Sequence, residues 1–360
     1  MSNIPRRHHY VTQAYLESFL EPRQNHLVGY MRKNSASFLR TPRDLANIRN
    51  FHSFRRPDGT LDFSLETRIA SEIENPGIPL IRKLASGKVN IDHQQRSTVA
   101  RLIGLQDVRV PYERNFRDKN NLDNLRFYIE EMDEMSRQSN APMNAIEVAV
   151  APHGKPKHWY RLTRAQILAE LKEAEDDPSK TSRDTFFSLA DALEKIFIKM
   201  EWTVRTATGS SRFITSDRPV IRSWADGKGF GRGVKDLRSE IKFPLSSTAI
   251  LEMKHRNWLP EAVHKHHRND NSRVRKTGNS RIEVLEADDA FVESVNAMIA
   301  KKAHVLVISG REQAWLNEWM KVRLIPDKRA VTVLDTERLM STNNERPRLI
   351  RQRERVVGHE

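Results

Sequence analysis

The stretch Arg6-Arg7-His8-His9-Tyr10-Val11-Thr12-Gln13-Ala14-Tyr15-Leu16-Glu17-Ser18-Phe19 lies almost at the start of a 360-residue chain, yet it reads as core. A fraying terminus is ordinarily small and polar. This one carries Tyr10, Tyr15, Leu16 and Phe19, side chains that gain free energy only when buried. The segment is therefore expected to dock against the body of the protein and to carry its polar residues in with it. From Thr12 onward, Tyr15, Leu16, Phe19 and Leu20 fall at i, i+1, i+4 and i+5, one apolar stripe on a short helix with Thr12 as its N-cap. His8 and His9 precede that helix on extended chain, where neighbours point in opposite directions, so at most one of them faces a site.

Outward from this segment the pattern is mostly helical to about residue 200. Leu65, Ile69, Ala70 and Ile73 recur at helical spacing, Asn75-Pro76-Gly77 interrupts them, and Ile78 to Leu84 resume as far as Gly87. Asp92 is placed to cap a helix carrying Val99, Leu102, Ile103 and Leu105, and Thr163 to open another. Phe186, Leu189, Leu193, Ile196 and Phe197 mark a further periodic helix. The character then changes. Trp202–Thr206 and Arg212–Ser216, separated by Gly209-Ser210-Ser211, read as a hairpin, with Ile241–Phe243 and Ala249–Met253 as further strands. Ala287 to Lys302 returns as a helix that delivers a strand at His304–Ser309. The expected fold is α+β, a mainly helical first half packed with a mixed or antiparallel sheet formed largely by residues 200–310. Four regions follow: a docked N-terminal segment with short strands (1–60), a helical region (61–200), a sheet-containing region (201–325) and a basic, mobile tail (326–360). These regions can share one domain.

Composition narrows the classes. No apolar run is long enough for a membrane span, nothing near the start resembles a signal peptide, and the chain has no cysteine. A cytoplasmic protein without disulfides or thiolate chemistry is expected. The 61 Lys and Arg against 47 Asp and Glu leave a net charge of +14. Residues 1–56 hold ten of the bases against three acids, half of the excess. Arg6 and Arg7 belong to that concentration. A second one, Lys254, Arg256, Lys265 and Arg268 among them, surrounds His264, His266 and His267. Such fields suit contact with a phosphate backbone, so nucleic acid is the expected partner, against a solvated basic surface that binds nothing.

Two constellations carry possible chemistry. Asp217, followed by Glu240-Ile241-Lys242, has the form of a divalent-metal nuclease site. Alternation puts Glu240 and Lys242 on one face of a strand, where carboxylates can hold Mg²⁺ or Mn²⁺ and the lysine can orient water. Glu74 or Glu66 from a helix completes the metal set. The competing reading is structural, with Ser216-Asp217-Arg218-Pro219 as a turn and Glu-x-Lys as a common triplet. The second constellation uses a histidine of the leading segment with Asp217 or Glu74 as acid and base. Gln106 and Arg109, one helical turn apart, face either the same cleft or a buried carboxylate such as Glu66 or Glu74. Gly227-x-Gly229-x-Gly231-x-Gly233 lacks the lysine of a phosphate-binding loop and reads as a hairpin loop.

The residues His9-Tyr10-Val11-Thr12-Gln13, Tyr15-Leu16 and Phe19 resemble the opening of a bacterial family, domain of unknown function forty-two thirty-eight, which has proline where Thr12 stands. Leu65-Glu66 to Glu74, Gln106 with Arg109, Ile214–Pro219, Phe243–Ser246 and Asn296 to Ala303 continue the resemblance. It implies boundaries near residues 8 and 310, and its motif position singles out His9. Tyr10, Gln13, Glu66, Gln106 and Arg109 are expected to be structural or to shape a cleft. The resulting expectation is a nucleic-acid-engaging protein of bacterial defence or a mobile element. It would cleave its target as a metal-dependent nuclease, with His9, Asp217, Glu240 and Lys242 as catalytic residues, or act as a non-catalytic binding module. A small-molecule hydrolase using His9 and Asp217 is a third class.

Overall fold

The computed structural model describes residues 7–31, 37–56, 58–150, 158–224, 233–255 and 281–322. Arg6, Arg256, Lys265, Arg268, the histidines 264, 266 and 267, positions 227–232 and the 326–360 tail lie outside the described residues. The chain begins with β1 (Arg7–His9), α1 (Gln13–Leu16), β2 (Leu27–Met31), β3 (Ser37–Arg40), β4 (Asn47–Arg49), β5 (Phe54–Arg55) and β6 (Leu61–Asp62). Helices α2 (Ser64–Ile69), α3 (Asn75–Ala85), α4 (His93–Val108) and α5 (Pro111–Ser139) follow. The hairpin β7 (Ala145–Val150) and β8 (His158–Thr163) leads to α6 (Arg164–Asp176), α7 (Lys180–Asp184) and α8 (Phe186–Phe197). Then come β9 (Glu201–Ala207), β10 (Thr215–Ser216), β11 (Ile221–Trp224), β12 (Ser239–Pro244), β13 (Ala249–Lys254), β14 (Glu283–Ala287), α9 (Asp289–Lys302), β15 (Leu306–Ser309) and α10 (Ala314–Val322). The class is α+β.

Local chemistry sets several of these boundaries. Asp92 caps α4 reciprocally: its carboxylate accepts the Gln95 N–H at 2.8 Å, and the Gln95 side-chain oxygen accepts the Asp92 N–H at 3.2 Å. Thr163 and Gln166 cap α6 in the same way. Asn75-Pro76-Gly77 does not end its helix. Pro76 cannot donate the usual backbone bond, and the chain accommodates it through a wide π turn at Ala70–Glu74 before continuing as α3.

The chain divides into two compact units, a larger one of Met1–Arg114, Thr185–Gly229 and Val234–Val331, and a smaller one that includes Asn115–Asp184. Divisions at 60/61 and 200/201 do not coincide with this partition. The reason is packing: α4 and α8, far apart in sequence, lie directly against each other in the larger unit. Gly104 makes that approach possible, since a Cβ there would stand 2.8 Å from the Ala190 carbonyl oxygen. In the smaller unit Leu125, Tyr128 and Met132 of α5 pack with Ile146, Val148 and Ile167 around a core of its own.

Two sheets organise the larger unit. One is five-stranded, in the order β11-β12-β13-β9-β14, with β14 parallel to β9 and the other pairs antiparallel. The other is four-stranded and antiparallel, in the order β10-β15-β2-β3, so strands from both ends of the chain share it. The hairpin expected between Trp202–Thr206 and Arg212–Ser216 does not form. Both edges of β9 are occupied by β13 and β14, and Thr215–Ser216 pairs with β15 instead. The intervening Gly209-Ser210-Ser211 turns toward α9, where the Asp289 carboxylate accepts the Ser211 N–H at 2.6 Å. Alternation sorts the five-stranded sheet: Trp202, Val204, Ile241, Phe243, Leu251 and Met253 enter the main core with Leu16 and Phe19 of the leading segment.

Gly104→Val should lower stability by about 1–3 kcal/mol through overpacking at the α4–α8 contact. Urea unfolding followed by circular dichroism measures it.

Candidate functional site

The leading segment is held from three sides. β1 pairs antiparallel with β4, and the Tyr10 N–H continues the pairing onto the Ala46 carbonyl at 2.9 Å. From α4, Gln106 and Arg109 both reach the Tyr10 carbonyl, at 2.7 and 3.0 Å. Arg109 is fully buried and donates further to Glu74 Oε1 at 2.6 Å, to Gln106 Oε1 at 2.8 Å and to the Thr12 hydroxyl. Thr12 in turn donates to Glu74 at 2.8 Å. Its hydroxyl therefore closes this network and makes no capping bond to α1, although the residue stands at the N-cap position. The third anchor is Tyr15, whose hydroxyl meets Thr215 of β10 at 2.9 Å and whose ring stacks on Phe243 at 5.1 Å.

The histidines and Gln13 serve local contacts. His8 is completely buried, stacks parallel to His52 with ring centroids 5.8 Å apart, and accepts the His52 backbone N–H on Nδ1 at 2.8 Å. His9 donates from Nε2 to the Arg43 carbonyl at 3.0 Å. Burial lowers the pKa of His9, the Arg43 carbonyl opposes that shift, and the net direction is downward, which keeps the ring neutral at pH 7. Gln13 donates to Glu17 one turn on.

Asp217 sits where β10 ends. Its Oδ1 accepts the His304 N–H at 2.9 Å, and its Oδ2 accepts those of Val305 and Leu306 at 2.6 and 3.2 Å. The carboxylate thus organises the entry to β15. Burial drives its pKa above the ordinary carboxylate range, against the pull of these N–H groups. Beside it opens a hollow of about 230 Å³, lined by Tyr10, Tyr112, Asp217, Arg218 and His304 together with apolar Ile48, Val110 and Val305. The leading segment and Asp217 therefore do share one hollow, with Tyr10 rather than His9 as the contributing residue. Burial and the neighbouring Asp217 charge push the Tyr10 phenol above its usual range, so it stays a neutral donor. The guanidinium of Arg218 lies over the Tyr112 ring at 4.4 Å and donates to Glu113 at 2.6 Å, while the His304 and Tyr112 rings meet at 4.9 Å.

Glu240 and Lys242 stand elsewhere. Alternation does bring them to one face of the five-stranded sheet, 3.5 Å apart, but a further acid, Glu252 of β13, pairs directly with Lys242 and accepts from Arg205 at 2.5 Å. Lys254 meets Glu240 at 3.1 Å. The positive charges of this network neutralise its carboxylates, while the oxygens of Asp217 are taken up by backbone N–H groups in the other sheet. Glu74 belongs to the Arg109 network, and Glu66 faces His52 at 3.9 Å. Among the described residues, no three His, Asp or Glu side chains are grouped so as to hold a metal ion. The separation is topological: Asp217 follows a strand paired with β15, whereas Glu240 pairs across to Ser223 and Lys254. Of the basic residues, Arg7 is exposed and pairs with Asp44 at 2.7 Å.

Glu252, Tyr112, Arg218 and His304 were not singled out by sequence reasoning. Glu252 had a visible signal, an acid in the middle of the apolar run Ala249-Ile250-Leu251-Glu252-Met253. The other three lie in segments distant in sequence and have no shared spacing to betray them.

These features define an α+β protein whose N-terminal segment is a fixed wall of an aromatic and polar hollow. The chain belongs to the family described as Protein of unknown function (DUF4238), whose model matches residues 7–313. No curated protein and no solved structure matches it. No helix of the described residues is long and apolar enough to cross a membrane.

Arg109→Ala should cost about 3–5 kcal/mol by leaving the Glu74 carboxylate without its cationic partner and the Tyr10 carbonyl held by Gln106 alone, as measured by urea unfolding. Asp217→Asn, which presents an amide N–H₂ to donors that need an acceptor, should cost about 1–3 kcal/mol in the same measurement.

Proposed function

We propose that this protein engages single-stranded nucleic acid as a binding module, with one unpaired base entering the hollow beside Asp217. The observation that carries the reading is the composition of the hollow. Tyr10 and Tyr112 offer aromatic surface, Arg218 offers a guanidinium plane, and the neutral Tyr10 hydroxyl offers a polar group beside them. A space of about 230 Å³ suits one base-sized ring system. Duplex, with its bases stacked inside, has nothing to place there.

Charge supports the same reading. Ile48 of β4 borders the hollow, and its strand neighbour Arg49 and the facing Arg7 are both exposed, as are Arg40 and Arg43 nearby in the chain. A protein of net charge +14 with exposed arginines next to an aromatic recess has the parts that hold a phosphate backbone and a displaced base. The candidate acid Glu240 and its sheet neighbour Glu252 are paired with Lys242, Lys254 and Arg205, which favours binding over the metal-dependent cleavage anticipated from the Glu-x-Lys triplet.

Fluorescence anisotropy with labelled single-stranded RNA, single-stranded DNA and duplex DNA at several salt concentrations tests this. Single strands should bind more tightly than duplex, with affinity falling as salt rises. Tyr112→Leu should weaken binding about tenfold through lost stacking and leave the circular dichroism spectrum unchanged. Equal affinity for duplex and single strands, or no retention of either, would refute the reading. Mg²⁺- or Mn²⁺-dependent cleavage lost in Glu240→Ala would instead establish the nuclease.

A further inference from the structure

The turn between β4 and β5 and the helix α2 bring together a pair of titratable groups that neither the Arg109 network nor the hollow uses. His52 is 1% exposed and Glu66 is largely enclosed, yet no side chain makes a well-formed hydrogen bond to the His52 ring nitrogens or to Oε2 of Glu66, the His9 backbone being the polar group that reaches the His52 ring. The two groups face each other, with Nε2 and Oε2 3.9 Å apart. Their surroundings are apolar on several sides: Phe51 lies 4.8 Å and Phe186 5.7 Å from the His52 ring, and His8 of β1 stacks on it at 5.8 Å. Two buried acceptors facing each other, the Nε2 lone pair and a carboxylate oxygen, are unfavourable, and a proton on Glu66 turned toward Nε2 relieves both.

We propose that His52 and Glu66 share one proton, the Glu66 carboxylic acid donating toward His52 Nε2, and that this pair is a pH-operated latch on the leading strand. The mechanical link is direct. His52 donates its backbone N–H to His8 Nδ1 and holds the His8 ring by stacking, so the environment of His52 is the environment of β1. When Glu66 ionises, its proton leaves to solvent and a carboxylate remains against an aromatic wall.

The charged and titratable neighbours set the direction. Around His52 they are Arg109 of α4, Arg114 at the start of α5, and His8, all of which disfavour a charged ring. Around Glu66 they are Arg109, which favours the carboxylate, and Glu74 at the end of the π turn, which opposes it. Burial outweighs both at Glu66 and raises its pKa from 4.5 to about 7. Burial likewise holds His52 well below 6.5. An acid whose folded pKa is raised contributes stability that is complete below about 4.5 and is lost as pH rises through about 7. His52 acts oppositely, losing stability as pH falls below 6.5. The latch is therefore closed in mildly acidic solution and opens on the alkaline side of neutral.

The full-length chain with ¹³C-carboxyl-labelled glutamate tests this without any nucleic acid, so its outcome is independent of the binding reading. One glutamate should titrate near pH 7, its signal absent in Glu66→Gln, and the His8 and His52 ring nitrogens should shift with the same midpoint. Urea unfolding of wild type and Glu66→Gln across pH 5–8.5 gives the second readout. The glutamine variant keeps the donor, so the wild-type folding equilibrium should weaken relative to it by at least tenfold over that range. If every glutamate of the intact protein titrates below about 5.5, or the two stability profiles run parallel, the proposal is overturned. The titration decides it even if the variant does not fold.

Discussion

Four hydrogen bonds leave the Arg109 guanidinium, to the Tyr10 carbonyl, Glu74, Thr12 and Gln106, and the arrangement of the leading segment follows from them. A planar cation with donors in a fixed fork can serve a backbone carbonyl, a carboxylate and a hydroxyl at once, which lysine cannot do. Burying that charge is unfavourable unless it is paired and its donors are satisfied. Glu74 supplies the pairing, and the chain supplies the rest. The network therefore favours one position of Tyr10 over any displaced one, and Tyr10 is a wall of the hollow.

The hollow is otherwise made by the start of α5 and by two turns that Asp217 ties together. Its carboxylate gathers three successive backbone N–H groups and so fixes where His304 and Val305 stand relative to Arg218. A carboxylate in this role is structural in its first action. Its exposure to the hollow is a consequence of the turn it builds. The charged face of the five-stranded sheet is a separate matter: Arg205, Lys242 and Glu252 are half-buried or buried side chains that satisfy one another while the opposite face fills the core. Alternation alone produces both faces, and the same alternation makes Glu-x-Lys resemble a catalytic triplet.

Much of this was readable from the residues. Tyr15, Leu16 and Phe19 announced a buried N-terminal segment, Asp92 and Thr163 announced their helix starts, and the run from Ala287 through Ser309 announced a helix feeding a strand. Arg109 with a carboxylate partner was also within reach, because a helix of that apolarity leaves an arginine few alternatives. What could not be read was pairing between distant segments. Nothing local distinguishes a β9–β10 hairpin from β9 held between β13 and β14, and nothing local says that residues between α4 and α8 form a unit of their own. Tyr112, Arg218 and His304 come together for the same non-local reason. Thr12 illustrates the limit at one residue: its position is that of an N-cap, but a buried arginine and a glutamate compete for its hydroxyl and win.

The central claim is that the leading segment is an integral part of the folded core. Native-state hydrogen exchange of the Tyr10, Tyr15 and Leu16 amides, compared with those of β13, tests it most directly. The account predicts that these amides exchange only through global unfolding, at the rate of the β13 amides. Exchange orders of magnitude faster than β13, as in a frayed terminus, would contradict it.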